Sequence, residues 1–221
     1  MRSGLPLALL AIAATPPAYA QASGKEASDR EAARAFWHYS NCVVKLAPDK
    51  VAELLISLHW DVRKDEAPQR FAQRYANCLA PGDIMRADHT LFRGALAGSY
   101  FLSRRGEPLP DYSTVPILFD QASLERTVTV DEKKRIVMLA FGECVFRSSP
   151  HDVRSLLATE PTKKAESEAV ERLAPLLGHC LPADEGQEMR FSKVALRGFL
   201  GEAAYAVDNA FSLGQAPESV H

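Results

Sequence analysis

The 221-residue chain lacks most of the signatures that announce a biochemical activity. It has no Gly-x-Ser-x-Gly turn, the strand-to-helix elbow that exposes a nucleophilic serine. It has no His-Glu-x-x-His run and no closely spaced cysteine pair, so neither a metalloprotease centre nor an ordinary zinc cluster is written into it. It has no glycine-rich phosphate loop, and its six histidines, His38, His59, His89, His151, His179 and His221, stand singly. No cofactor and no metal is expected. Charge of one sign is equally scarce: 26 Lys and Arg face 28 Asp and Glu, a formal net charge of -2. Nucleic acid is therefore not expected as a partner, because phosphate binding needs a concentrated basic surface. Aromatic residues make up 8% against a hydrophobic total of 47% rich in Ala and Leu, a balance that suits a helical globule.

Long hydrophobic runs are missing except at the start. Arg2 precedes an apolar stretch from Leu5 to Ala14, then helix-breaking Pro16 and Pro17, then Ala18, Tyr19 and Ala20. That order of charge, apolar run and small-x-small site predicts a cleavable signal peptide over residues 1–20. The run is half of the roughly 20 residues that a spanning helix needs, so no stable membrane insertion is expected once it is removed. A periplasmic or secreted location follows. No arginine pair precedes the run, and no cysteine stands at the cleavage point to accept lipid.

What is present is four cysteines with an informative spacing. Cys42 and Cys78 are as far apart as Cys144 and Cys180, and a shift of 102 positions carries the first pair onto the second. The same shift brings Val43 onto Val145, Pro48 onto Pro150, Val51 onto Val153, Leu54 and Leu55 onto Leu156 and Leu157, and Arg70 onto Arg172. After the second cysteine the shift becomes 104, and Met85, Arg86, Arg93, Gly94 and Leu96 fall on Met189, Arg190, Arg197, Gly198 and Leu200. The expected organisation is a tandem duplication: repeat 1 over 29–105, a connector over 106–130, repeat 2 over 131–208, and a tail over 209–221.

Within each repeat the apolar positions recur at three and four residues, which predicts four helices and an all-α fold packed as one globule. The first helix carries Phe36, Tyr39, Cys42 and Val43, matched by Met138, Phe141, Cys144 and Val145. Pro48 and Pro150 suit the first position of a second helix, where the missing N–H costs nothing. A third runs into the second cysteine through Phe71 and Tyr75, or Leu173 and Leu177. The fourth starts after Asp88 or Ser192, side chains able to accept from the free N–H groups of a first turn. A glycine inside a helix costs roughly 1 kcal/mol against alanine, so Gly94 and Gly198 imply close helix packing. The connector, with Pro108, Pro110 and Pro116, holds Val115 to Phe119 as a small apolar plug.

Four cysteines allow three pairings. If each repeat descends from one unit, that unit's two cysteines could bond only with each other, which predicts Cys42 with Cys78 and Cys144 with Cys180. Five side chains are candidate binding residues. Glu143 lies beside Cys144 on the inner helix, where Asn41 holds the matching place. Arg86, Arg93, Arg190 and Arg197 are either partners of buried carboxylates and helix-end carbonyls or a grip on an anionic group facing one groove.

The run Phe141, Gly142, Glu143, Cys144, Val145, with Arg147, Pro150, Cys180, Leu181 and then Leu196, Arg197, Gly198, resembles a group of small exported alphaproteobacterial proteins of unknown function with a duplicated Cys-containing helical module. The first repeat departs from that pattern at Asn41 and Lys45. The resemblance implies an exported helical fold and supplies no activity. The expected function is a non-catalytic interaction or binding module whose partner is an envelope protein or a small anionic ligand. The alternative is an envelope hydrolase using carboxylates in a groove between the repeats.

Overall fold

A computed structural model describes residues 29–57, 67–79, 89–126, 129–181 and 192–214. The expected signal peptide over 1–20 and the segments carrying Arg86 and Arg190 lie outside these residues. Among the described residues nine α-helices follow in order: α1 (Asp29–Leu46), α2 (Pro48–Ser57), α3 (Ala67–Arg74), α4 (His89–Arg104), α5 (Gln121–Glu125), α6 (Val130–Ser148), α7 (Pro150–Ala158), α8 (Lys164–Cys180) and α9 (Lys193–Gly214). Short 3-10 turns cover Ala76–Cys78 and Tyr112–Thr114. The described residues contain no strand, and none of their helices is long and apolar enough to cross a membrane.

Local sequence accounts for most of the helix starts. Pro48 and Pro150 are the first residues of α2 and α7. Thr129 and Glu132 close a reciprocal capping box on α6, each satisfying a backbone N–H of the other. Ser192 Oγ accepts from the Ala195 N–H at 3.2 Å and caps α9. The third helix of the first half stops at Arg74, so Cys78 sits on a 3-10 turn, whereas α8 runs unbroken to Cys180. The far end of α9 continues past 208 to Gly214, because Ala210 and Phe211 pack on the core there and Ser212 accepts from Arg105.

The two cysteine pairs are bonded as expected, Cys42 to Cys78 and Cys144 to Cys180, each with Cα atoms 5.7 Å apart. Positions 102 apart share their burial: Tyr39 and Phe141, Val43 and Val145, Val51 and Val153, Leu54 and Leu156, Leu55 and Leu157 are all buried. Two apolar cores result. One gathers α1 to α4 around Tyr39, Val43, Val51, Leu55 and Leu96, and the other gathers α6 to α9 around Phe141, Val145, Phe146, Leu173 and Leu200.

The cores are joined by α4 and α9, which cross at glycines. A Cβ on Gly94 would lie 2.4 Å from the Gly198 Cα, and one on Gly201 would lie 2.6 Å from the Gly94 carbonyl oxygen. No side chain fits between these backbones, which is the close packing the paired glycines imply. Across this crossing each helix sends one ring into the other half's core: Phe101 of α4 into the second, Tyr205 of α9 into the first. The exchange makes one globule of the two clusters.

A cleft over the glycine crossing

Because the α4–α9 crossing has no side chains to fill it, a concavity forms above it. Gly94, Gly98 and Gly198 make its floor, Ala33, Phe36, Trp37 and Ser40 of α1 one wall, and Leu157 with the buried Pro161 the other. The space in it that a water-sized molecule can occupy is about 40 Å³. Its lining is apolar apart from three side chains and the indole edge of Trp37. Ser99 donates to Ser40 Oγ at 2.9 Å, and Ser40 in turn donates to the Phe36 carbonyl at 2.7 Å. Arg197 is the only charged side chain lining the cleft among the described residues.

Arg197 is held from behind. Its Nη1 donates to the Leu156 carbonyl at 2.7 Å and to Thr159 Oγ1 at 3.1 Å, and its Nη2 donates to the carbonyls of Leu157 and Thr159. The carbonyls belong to the C-terminal end of α7, where a cation is favoured by the helix dipole. The Glu166 carboxylate stands 3.4 Å away and also accepts from the Thr162 N–H at 2.8 Å, which fixes the loop carrying Pro161. Burial pulls the Arg197 guanidinium down to about 10, with Glu166 opposing the shift. Its Nε–H has no acceptor among the described residues.

Arg93, the matching residue of α4, points elsewhere. Its Nε donates to Glu202 at 2.6 Å, and Arg135 of α6 grips the same carboxylate through two contacts of 2.6 and 2.8 Å while also donating to Thr90. Glu202 is 2% exposed, so two cations compensate one buried anion at the junction of three helices. Arg93 Nη1 and the indole N–H of Trp37 are buried with no hydrogen-bond partner among the described residues. Of the four arginines singled out from the sequence, Arg197 alone reaches the cleft, Arg93 sits in this ion cluster, and Arg86 and Arg190 fall outside the described residues.

Glu143 is not in the cleft. It accepts from the backbone N–H groups of Leu118 and Phe119 at 3.0 Å and from Arg147 at 2.7 Å. Arg147 reaches on to the carbonyls of Tyr112, Val115 and Pro116. This pair straps the connector over the second core, with Val115 buried and Ile117 left 66% exposed, so the plug is Val115 with the half-buried Leu118 and Phe119. The departure at Asn41 has a matching consequence: its amide donates to the Trp37 carbonyl of its own helix at 2.7 Å and holds no strap. A second clamp joins Arg105, Tyr112 and Ser212 around buried Asp208, and burial together with the Asp208 charge pushes the Tyr112 phenol well above its ordinary value.

Glu202 and Asp208 were not singled out from the sequence, although a signal existed: on α9 Glu202 shares a side with buried Gly198 and Tyr205, and Asp208 with buried Gly201 and Ala204. An acidic residue on an apolar face needs a partner. No group of three or more His, Cys, Asp or Glu placed to hold a metal occurs among the described residues. No family model, curated protein or solved structure matches this chain. The described residues define an all-helical, twice disulfide-bonded fold with a glycine-floored cleft, and the function has to be argued from that cleft.

Proposed function

We propose that this chain is an exported, non-catalytic binding module whose ligand occupies the cleft between α1, α4, α7 and α9. One observation carries the reading: an apolar concavity with a few convergent polar groups, the ordinary form of a small-molecule site. The hydrolase alternative rested on Glu143 with a second carboxylate in a groove. Glu143 is occupied by the connector, and the described lining of the cleft contains neither Asp nor Glu. Two disulfides support an oxidising compartment, and with the leader over 1–20 they support periplasmic or secreted placement. The paired burial at a spacing of 102 and the exchange of Phe101 and Tyr205 support descent from a duplicated unit. They are also the features to seek in the exported alphaproteobacterial group that the sequence resembles.

The test uses a filled cleft. Ala95 is half-buried in the lining, so Ala95→Phe should occupy the space without touching the Arg197 contacts. The oxidised protein is exposed to envelope extract, reisolated, and its bound small molecules are read by mass spectrometry. A compound retained by the native chain and lost from Ala95→Phe is the expected outcome; equal retention by both would remove the cleft as the site.

A further inference from the structure

We propose that the turn over 160–163 is a strained lid on the cleft, shut by the Glu166 carboxylate and free to open without the helices around it. Every other residue of the described lining stands on α1, α4, α7 or α9; Pro161 alone stands on a loop, and it is buried. The space in the cleft, about 40 Å³, is a few times the roughly 10–15 Å³ that one water needs, so a larger guest enters only where a wall yields. The helical walls are fixed. Gly94, Gly98 and Gly201 hold α4 and α9 backbone to backbone, while Tyr39 and Val43 anchor α1 in one core and Leu156 anchors α7 in the other.

The loop wall is different. Thr162, next after Pro161, has φ 70°, and among the described residues it is the only non-glycine with a positive φ. Proline in the second place of a turn and a positive φ in the third fit a type II turn, where glycine or asparagine ordinarily takes the third place. A β-branched threonine there is strained, and such strain persists only where neighbouring contacts hold it. Two contacts do so: Glu166 accepts the Thr162 N–H at 2.8 Å, and the Lys163 N–H reaches the Glu160 carbonyl at a long 3.4 Å. A hydrogen bond to a carboxylate and one residue's left-handed strain are of similar size, so the shut and open turns lie close in free energy. Thr162 and Lys163 are exposed, which leaves the turn room to swing outward. Opening strands no charge, because Glu166 keeps Arg197 at 3.4 Å, and Arg197 keeps the Thr159 carbonyl at 2.9 Å and so pins the chain just before the turn. Relaxing Thr162 to a negative φ then draws Pro161 out of the wall.

Hydrogen exchange read by NMR on the oxidised full chain tests the lid without any ligand, so its failure leaves the binding reading standing. The Thr162 amide should exchange at least tenfold faster than those of Leu156 in α7 and Leu173 in α8, because local opening needs no unfolding of the helices. Thr162→Gly keeps the N–H and removes the strain, and it should slow exchange at that amide at least fivefold after correction for intrinsic rate. Thr162→Pro forbids the positive φ and removes the N–H, and it should hold the lid open. With Trp60→Phe as background, acrylamide quenching of Trp37 on the opposite wall should fall below native in Thr162→Gly and rise at least twofold above it in Thr162→Pro. If Thr162→Pro fails to fold, the native chain and Thr162→Gly decide the matter. Thr162 exchange no faster than that of Leu156 and Leu173, or unchanged protection in Thr162→Gly, overturns the strained lid. The expected exchange pattern with equal quenching in every folded variant overturns its hold on the cleft, since the turn would then move without exposing it.

Discussion

Glu202 of α9 receives Arg93 from α4 and Arg135 from α6 on the same carboxylate oxygen, each at 2.6 Å. Three helices from both cores thus meet at one buried anion, and the cost of desolvating it is offset only while both guanidinium groups stay in place.

Removing that anion should therefore be severe. Glu202→Leu leaves two buried cations without compensation, and breaking a buried pair in this way costs roughly 3–5 kcal/mol. Urea titration followed by circular dichroism should show the midpoint falling, whereas the triple change of Arg93, Arg135 and Glu202 to apolar residues should recover much of the loss. A triple variant no better than Glu202→Leu would mean that packing around the cluster matters more than its charge.

The glycines of the crossing predict opposite signs at two sites. Gly94→Ala places a Cβ against the Gly198 backbone, which cannot move as a flexible side chain does, so overpacking of about 1–3 kcal/mol should outweigh the helix preference for alanine. Gly178→Ala in α8 meets nothing within 4 Å and should stabilise by up to about 1 kcal/mol. Thermal melts of the two variants check the pair, and equal effects would contradict the close approach at Gly94.

Each disulfide closes a loop with a sequence separation of 36. Chain-entropy reasoning for a loop of this length gives about 4 kcal/mol at 25 °C. Replacing Cys42 and Cys78 together by Ser, or Cys144 and Cys180 together, should lower unfolding free energy by that order in denaturant titrations. Peptide mapping under non-reducing conditions should recover each bond within its own half.

Alkaline pH should weaken the fold. Burial raises the phenols of Tyr39, Tyr112 and Tyr205 above their ordinary value of 10.0, so above that pH the unfolded chain releases protons that the folded chain keeps. Their contribution is complete below pH 10 and is lost as the pH climbs toward the folded values. Arg197 acts in the other direction, since its folded value of about 10 lies below the ordinary 12.5, so its term recovers stability over that interval. Three groups oppose one, and the urea midpoint should fall between pH 9 and pH 11 while tyrosinate absorbance lags behind that of the unfolded chain. A rising midpoint would reverse the assignment.

Glu143→Ala should loosen the strap. Two backbone N–H groups and Arg147 lose their acceptor, and leaving buried donors unsatisfied costs about 1–3 kcal/mol. Hydrogen exchange should accelerate at the amides of Leu118 and Phe119 before it does in α6. Uniform acceleration across the chain would show that the connector does not open by itself.

The helices themselves were legible in residue order because their causes are local. The stripe through Phe36, Tyr39 and Val43, the prolines opening α2 and α7, and the Ser192 cap each act within a turn or two of chain. The cysteine pairing could be read because spacing and repetition left one modular solution, and Gly94 with Gly198 could be read as close packing because glycine inside a helix is costly. The break of the third helix at Arg74 and the strap held by Glu143 could not be read, since neither leaves a periodic mark.

Residue order thus determined the helical class, the two cysteine bonds and the closeness of some helix contact. Tertiary structure alone decided which helices make it, and with that the cleft. Glu202 finds Arg93 across 109 positions and Arg135 across 67, and the cleft needs four helices converging on a floor without side chains. Periodicity tells a residue's side of its own helix. What stands opposite depends on how those helices cross, and that is settled by packing the whole chain at once.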